Sequence, residues 1–209
     1  MTYMNSRDYK IFRSGHYYHV YNRGNNKGLV FCCESDYFAF LLRLKLALGK
    51  RVSKGIFDTR VRVTPFDADN FTVLAYCLMP NHYHFLIRQD GEIGIDRLIH
   101  RVFTSYAKYY NLKHERIGNL FQDAFKAKLV DSDSYLSYLS AYIHNNPTNP
   151  FDYQFSSLPD YLGKRQGTIC DTNFLLGMFG NNRDQYKEFV SIFGSKEYAK
   201  IKPYVFEEE

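Results

Sequence analysis

The sequence predicts an α+β fold of the ferredoxin-like (RRM-like) type: an antiparallel sheet with helices on one face, then a further helix and a C-terminal extension. Two observations carry this. β-branched and aromatic runs alternate with runs of helical periodicity in the order strand, helix, strand, strand, helix, strand, helix. The middle two strands are separated only by Met79, Pro80 and Asn81, a connection so short that it favours an antiparallel hairpin.

The elements follow in order. His16 to Asn22 (HYYHVYN) is aromatic and β-branched, and the turn RGNNK after it ends the first strand. From Glu34 to Lys50, Phe38, Leu41, Leu42, Lys45 and Leu48 recur at helical spacing, and Gly49 closes the helix. Residues 51–70, with Gly55, Pro65 and scattered charge, read as an inserted loop. Phe71–Leu78 and His82–Arg88 form the hairpin, a second helix runs from about Ile93 to Leu112, and Leu120–Val130 supplies another extended segment. Ser132 or Asp133 caps a last helix through YLSYLSAYIHNN, which Pro147 terminates because the residue before a proline disfavours the helical region. Residues 1–150 are therefore expected to form one domain, and 151–209 an extension packed on it with a short helix around 184–193.

The 209 residues, 45% of them hydrophobic and 18% aromatic, suffice for one well-filled core. No apolar run reaches the roughly 18 to 20 residues that cross a bilayer, and the start MTYMNSRDYK is too polar for a secretory signal, so no membrane partner is expected. Four cysteines form no CxxC pair and are expected to be reduced and chemically inert. Between Arg97 and Lys128 seven Lys or Arg stand against Glu115 and Asp123, an excess equal to the net charge of the whole chain, +5. Aromatic residues interleave them, a composition suited to a phosphate backbone with bases stacked on rings; a solvated helix face is the alternative reading. The candidate DNA contacts are Arg23, Arg97, Arg101, Lys108, Tyr109, Lys126 and Lys128.

Residues two apart on a strand project from one face, so His82 and His84 in MPNHYHFLI point together and can share a metal. The spacing alone is close to chance, and Leu86 stands where a third histidine would have suggested a nucleotide hydrolase. Two imidazoles leave a divalent ion short of ligands, and an amide or carboxylate from a neighbouring element can complete the set. The last helix offers one, since Tyr138, Tyr142 and Asn146 recur at i, i+4 and i+8 and place a phenol and an amide on one face. With 19 tyrosines in the chain, most must simply pack.

MPNHYHFLI resembles the histidine-hydrophobic-histidine (HUH) motif of single-tyrosine transposases, and YIHNNP resembles their catalytic-tyrosine segment. The resemblance is specifically to REP-associated tyrosine transposases, an insertion-sequence transposase-like group. It extends through HVYNRGNNKGLVF, SYAKYYNLKHERIGNLFQ and FSSLPDYL in the same order, from residue 16 to about 162. It implies that Tyr142 is the nucleophile, that His82, His84 and Asn146 hold Mg²⁺ or Mn²⁺, and that single-stranded or hairpin (REP-like) DNA is cut and rejoined through a 5′-phosphotyrosine. It also implies a prokaryotic, cytoplasmic, nucleoid-associated protein acting as a monomer or homodimer. A free tyrosine, with a pKa of about 10, needs help to lose its proton; the field of the metal is the first candidate, His144 a weaker one, and Tyr138 the rival nucleophile. Relatives usually carry an arginine shortly after the segment matching LFQ, where this chain has Asp123 and Ala124; the departure puts in question whether DNA is held there in the family's way, with Lys126 and Lys128 the available substitutes. Two alternatives remain at this point: a domesticated binding regulator without turnover, and a metal-dependent phosphoesterase that uses water.

Overall fold

A computed structural model describes residues 11–52 and 61–193. Four strands, β1 (His16–Arg23), β2 (Phe71–Met79), β3 (His82–Gln89) and β4 (Lys126–Val130), form one antiparallel sheet in the order β2-β3-β1-β4. Between them run α1 (Glu34–Ala47) and α2 (Ile95–Lys113), followed by α3 (Asp133–His144) and the short helices α4 (Leu158–Tyr161), α5 (Asn173–Gly177) and α6 (Arg183–Phe193). This is the ferredoxin-like α+β plan that the order of elements predicts. The middle of the 51–70 loop, 53–60, and the chain beyond 193 lie outside the described residues.

The alternation of each strand divides its side chains between two cores. Tyr18 and Val20 of β1 and Tyr83, Phe85 and Ile87 of β3 pack against α1 and α2. On the other face Leu86, Ala75 and Cys77 meet Leu136, Leu139 and Ile143 of α3 and Tyr186 and Val190 of α6. The first two helices thus occupy one face as expected, and part of the opposite face is covered by α3 and the segment after it. That segment also lines the outer edge of β2: Leu78 N donates to Phe155 O (3.0 Å), Ser157 N to Tyr76 O (2.9 Å) and Asp171 N to Val73 O (2.9 Å).

Two differences from the sequence expectation bear on the site. The extended run expected over 120–130 pairs as a strand only from Lys126, and residues 120–124 instead loop against the end of β1, where Gln122 N donates to Arg23 O (2.8 Å) and Asn25 N to Leu120 O (3.0 Å). The last helix, capped by Ser132 Oγ accepting from Tyr135 N, ends at His144, so Asn146 lies just beyond it, held off helical geometry by Pro147.

Candidate active site

The register fixes what shares the face of His82 and His84. On β1, Arg23 lies opposite His82 and Tyr21 opposite His84, while Tyr21 and His19 face Lys126 and Lys128 on β4. Because side chains alternate, His19, Tyr21, Arg23, His82, His84, Lys126 and Lys128 all project from this one face. The loop of residues 120–124 walls the open end, leaving a cleft of about 240 Å³ lined by Arg23, Lys27, His82, His84, Gln122, Asp123 and Lys126 among others. The RGNNKG turn can hug this end because of Gly24, where a Cβ would fall 2.0 Å from Gly28 O.

His82 Nε2 lies 2.9 Å from Asn146 Oδ1, so strand and helix end meet although 64 residues separate them. The other nitrogen of His82, Nδ1, is 2.7 Å from Asn81 Oδ1, and Asn81 is oriented by Nδ2 donating to Lys27 O at 3.3 Å. With the hydrogen on Nδ1, toward the oriented Asn81 oxygen, Nε2 presents its lone pair to Asn146. In that tautomer the contact is favourable with a shared cation between nitrogen and oxygen, or with the Asn146 amide turned so that Nδ2 donates. His84 is 2% exposed; its Nε2 has no hydrogen-bond partner among the described residues, and its Nδ1 is 2.9 Å from His19 Nε2. Burial keeps both histidines neutral, with His84 well below its usual range and His19 down to about 3, helped by Lys128. Neutral imidazole is the form that ligates, so two imidazole nitrogens and an amide oxygen make a donor set that fits a divalent cation.

Tyr142 is half-buried on α3, its ring perpendicular to that of His84 with centroids 5.5 Å apart, and similarly edge-on to His19 at 6.3 Å. Tyr138, one turn earlier, packs its ring 5.8 Å from Phe189 of α6. His144 is fully buried, with Nε2 2.7 Å from Ser157 Oγ and Nδ1 2.8 Å from Tyr186 Oη, and burial lowers its pKa to about 3. It ties α3 to its neighbours and does not face the cleft lining.

The expected DNA contacts separate into two groups. Arg23, Lys126 and Lys128 share the histidine face. Arg97, Arg101, Lys108 and Tyr109 belong to α2, which packs on the opposite face of the sheet. Of these, Arg101 donates to Thr64 O (2.7 Å) with its guanidinium over Phe66, and Tyr109 packs beneath Arg43. The structure does not bring the α2 group together with the histidines. Asp123 and Ala124 line the cleft itself. Sequence reasoning missed His19 and treated Asn81 only as a turn residue; strand alternation put His19 on one face with Tyr21, but its nearness to His84 follows from the pairing register.

A second cluster, Cys32, Asp36 and His114, brings three potential ligand atoms within 4.8 Å of one another. Asp36 there is already paired with a cation of the chain, since Lys113 Nζ is 2.7 Å from Asp36 Oδ1 and 3.1 Å from Cys33 Sγ, with His114 Nε2 3.0 Å from Asp36 Oδ2. It is an ion-pair lock between α1 and α2.

Residues 63–146 match the family model described as "Transposase IS200 like". No curated protein matches the chain. Among solved structures, the chain is similar in fold to a REP-associated tyrosine transposase bound to a REP hairpin: identity 13%, TM-score 0.54, covering 82% of this chain and 94% of that one. It also aligns, with a TM-score of 0.39 and 14% identity over 69% of this chain and 97% of that one, with a provisionally named transposase from Deinococcus radiodurans.

Proposed function

We propose that this chain, whose residues 63–146 match the IS200-like transposase family model, cleaves and rejoins single-stranded DNA at or beside a hairpin, with Tyr142 as nucleophile and His82, His84 and Asn146 as metal ligands. The observation that supports this most is the convergence of those four residues from β3 and the end of α3 on one face of the sheet. No helix among the described residues is long and apolar enough to cross a membrane.

In this reading Arg23, Lys126 and Lys128 hold the phosphate backbone, and the Tyr21 ring, with Lys126 Nζ 5.8 Å from its centre, offers a base a stacking surface. The two imidazoles and the amide would hold a divalent cation, which would supply positive charge to the phosphate being cut. The Tyr142 oxygen forms a bond to phosphorus as the bond from phosphorus to the 3′ oxygen breaks. The products are a 5′-phosphotyrosine and a 3′-hydroxyl, the phenolic proton being balanced by the proton gained at the 3′ oxygen. The phosphoester energy is retained in the covalent link, so the reverse attack rejoins strands without a nucleotide cofactor. The REP hairpin in the structurally similar protein makes hairpin oligonucleotides the first substrates to try.

The test is a hairpin-bearing oligonucleotide library incubated with Mn²⁺ or Mg²⁺ and resolved under denaturing conditions. A covalent protein-DNA adduct is expected, lost in Tyr142→Phe and kept in Tyr138→Phe. An adduct that survives Tyr142→Phe, or cleavage without any adduct, refutes the assignment.

A further inference from the structure

We infer that His19 is a positioning residue that sets the tautomer and plane of His84, so that His84 Nε2 is delivered as a metal ligand. The inference rests on the metal site proposed above. His19 comes from β1, far from the HUH motif in sequence, and its Nε2 is 2.9 Å from His84 Nδ1. The two rings are close to coplanar, 17° apart with centroids at 5.1 Å, which is the geometry of an in-plane N–H···N hydrogen bond rather than of stacked faces. Both rings are buried, so neither can trade this bond for water.

A neutral imidazole has one N–H and one bare nitrogen. For His84 to offer Nε2, its proton must sit on Nδ1 and be donated to a bare Nε2 of His19. His84 Nε2, buried and without a hydrogen-bond partner among the described residues, is then the lone pair left over. The opposite tautomer would place an N–H there instead, and a nitrogen carrying a proton cannot ligate. Asn81 does the same for His82 through its Oδ1, so both ligands are aimed by a partner on Nδ1. Metal-bound histidines are generally oriented in this way, and losing the outer partner typically costs about 10- to 100-fold in metal affinity. The Tyr142 ring stands nearly perpendicular to both, with centroids 5.5 Å from His84 and 6.3 Å from His19, so one hydrogen bond orders the ligand and the rings beside the phenol together.

The experiment measures Mn²⁺ binding by calorimetric titration, without DNA. His19→Phe, which keeps a planar ring but has no nitrogen, is expected to weaken Mn²⁺ about 10- to 100-fold; His19→Gln, whose terminal amide reaches the Nε2 position, should recover most of that loss. His84→Ala is the control and should abolish binding. Full Mn²⁺ affinity in His19→Phe alongside loss in His84→Ala overturns the inference and leaves the metal site standing. Full affinity in both variants overturns the metal site itself. If His19→Phe does not fold, nitrogen-15 NMR of the unsubstituted metal-free protein decides: an Nδ1–H tautomer of His84 supports the inference, and an Nε2–H tautomer refutes it.

Discussion

Removing a single buried hydroxyl, in Tyr186→Phe, measures how firmly the helix that carries Tyr142 is fixed. Tyr186 is fully buried on α6; its oxygen is 2.8 Å from His144 Nδ1 and 3.0 Å from Ser140 Oγ, both on α3. Ser140 keeps a bond of its own to Ser137 O at 2.7 Å, so the substitution strands one group, His144 Nδ1, while the ring still fills its place. Leaving one buried polar group unsatisfied costs about 1–3 kcal/mol. For a chain of this size each kcal/mol lowers Tm by about 2–4 °C, so Tyr186→Phe should melt roughly 2–12 °C below the parent. Differential scanning calorimetry of the metal-free protein reads this directly. A Ser140→Ala control should fall less, since the pairing of Tyr186 with His144 survives it. A Tyr186→Phe curve that overlays the parent would refute the claim that this network anchors α3.

Three further outcomes follow from the same geometry. Burial holds His144 and His19 down to about 3 against an ordinary 6.5, so below pH 6.5 the unfolded chain takes up protons that the folded chain refuses. Stability present above pH 6.5 is therefore lost as the pH falls toward 3, by up to about 1.4 kcal/mol per pH unit for each histidine; urea midpoints independent of pH over this range would contradict it. Lys126→Ala should weaken single-stranded DNA binding and reduce the salt slope by about 0.7, whereas Lys108→Ala on the far face should do neither; equal effects would mean that DNA runs over α2 as well. Asp123→Asn removes the negative charge lining the cleft and should raise DNA affinity by a factor of roughly 2–5 at low salt, in fluorescence anisotropy, an advantage that fades with added salt. An unchanged affinity would mean that phosphate does not approach this loop.

Much of the fold was readable because its signals are local. The Pro80–Asn81 turn, the extent of α1 and the Ser132 cap each sit within a few residues of what they determine. The face of α1, however, was misread: the core stripe is Tyr37, Phe40, Leu44 and Ala47, and Phe38 is exposed. The residues of the candidate site were nameable for a different reason, a resemblance spread over several motifs, since His82 and His84 alone are a chance-level pair. What stayed hidden depends on register and on faces. His19 meets His84 only because β1 pairs with β3 in one particular alignment. The basic residues of α2 read as one patch with Lys126 and Lys128 because charge density in sequence carries no information about which side of a sheet each element takes. Asn146 was read as part of a helical stripe, and Pro147 ends the helix before it.

The hairpin turn itself has a wider reach. Pro80 O accepts from Val30 N and Phe31 N, Asn81 O accepts from Gly24 N, and the Asn81 side chain spans Lys27 O and His82 Nδ1. The loop of 24–31 and the aim of His82 are thus a single mechanical unit. If a nucleic acid that closes on Arg23 or Lys27 steadies that unit, it also raises the affinity of the proposed metal site for a cation. Thermodynamic reciprocity then requires the ion to raise the affinity for the nucleic acid by the same factor. The two ligands would fill the site as partners, with neither one able to report its own dissociation constant without a statement of how much of the other was present.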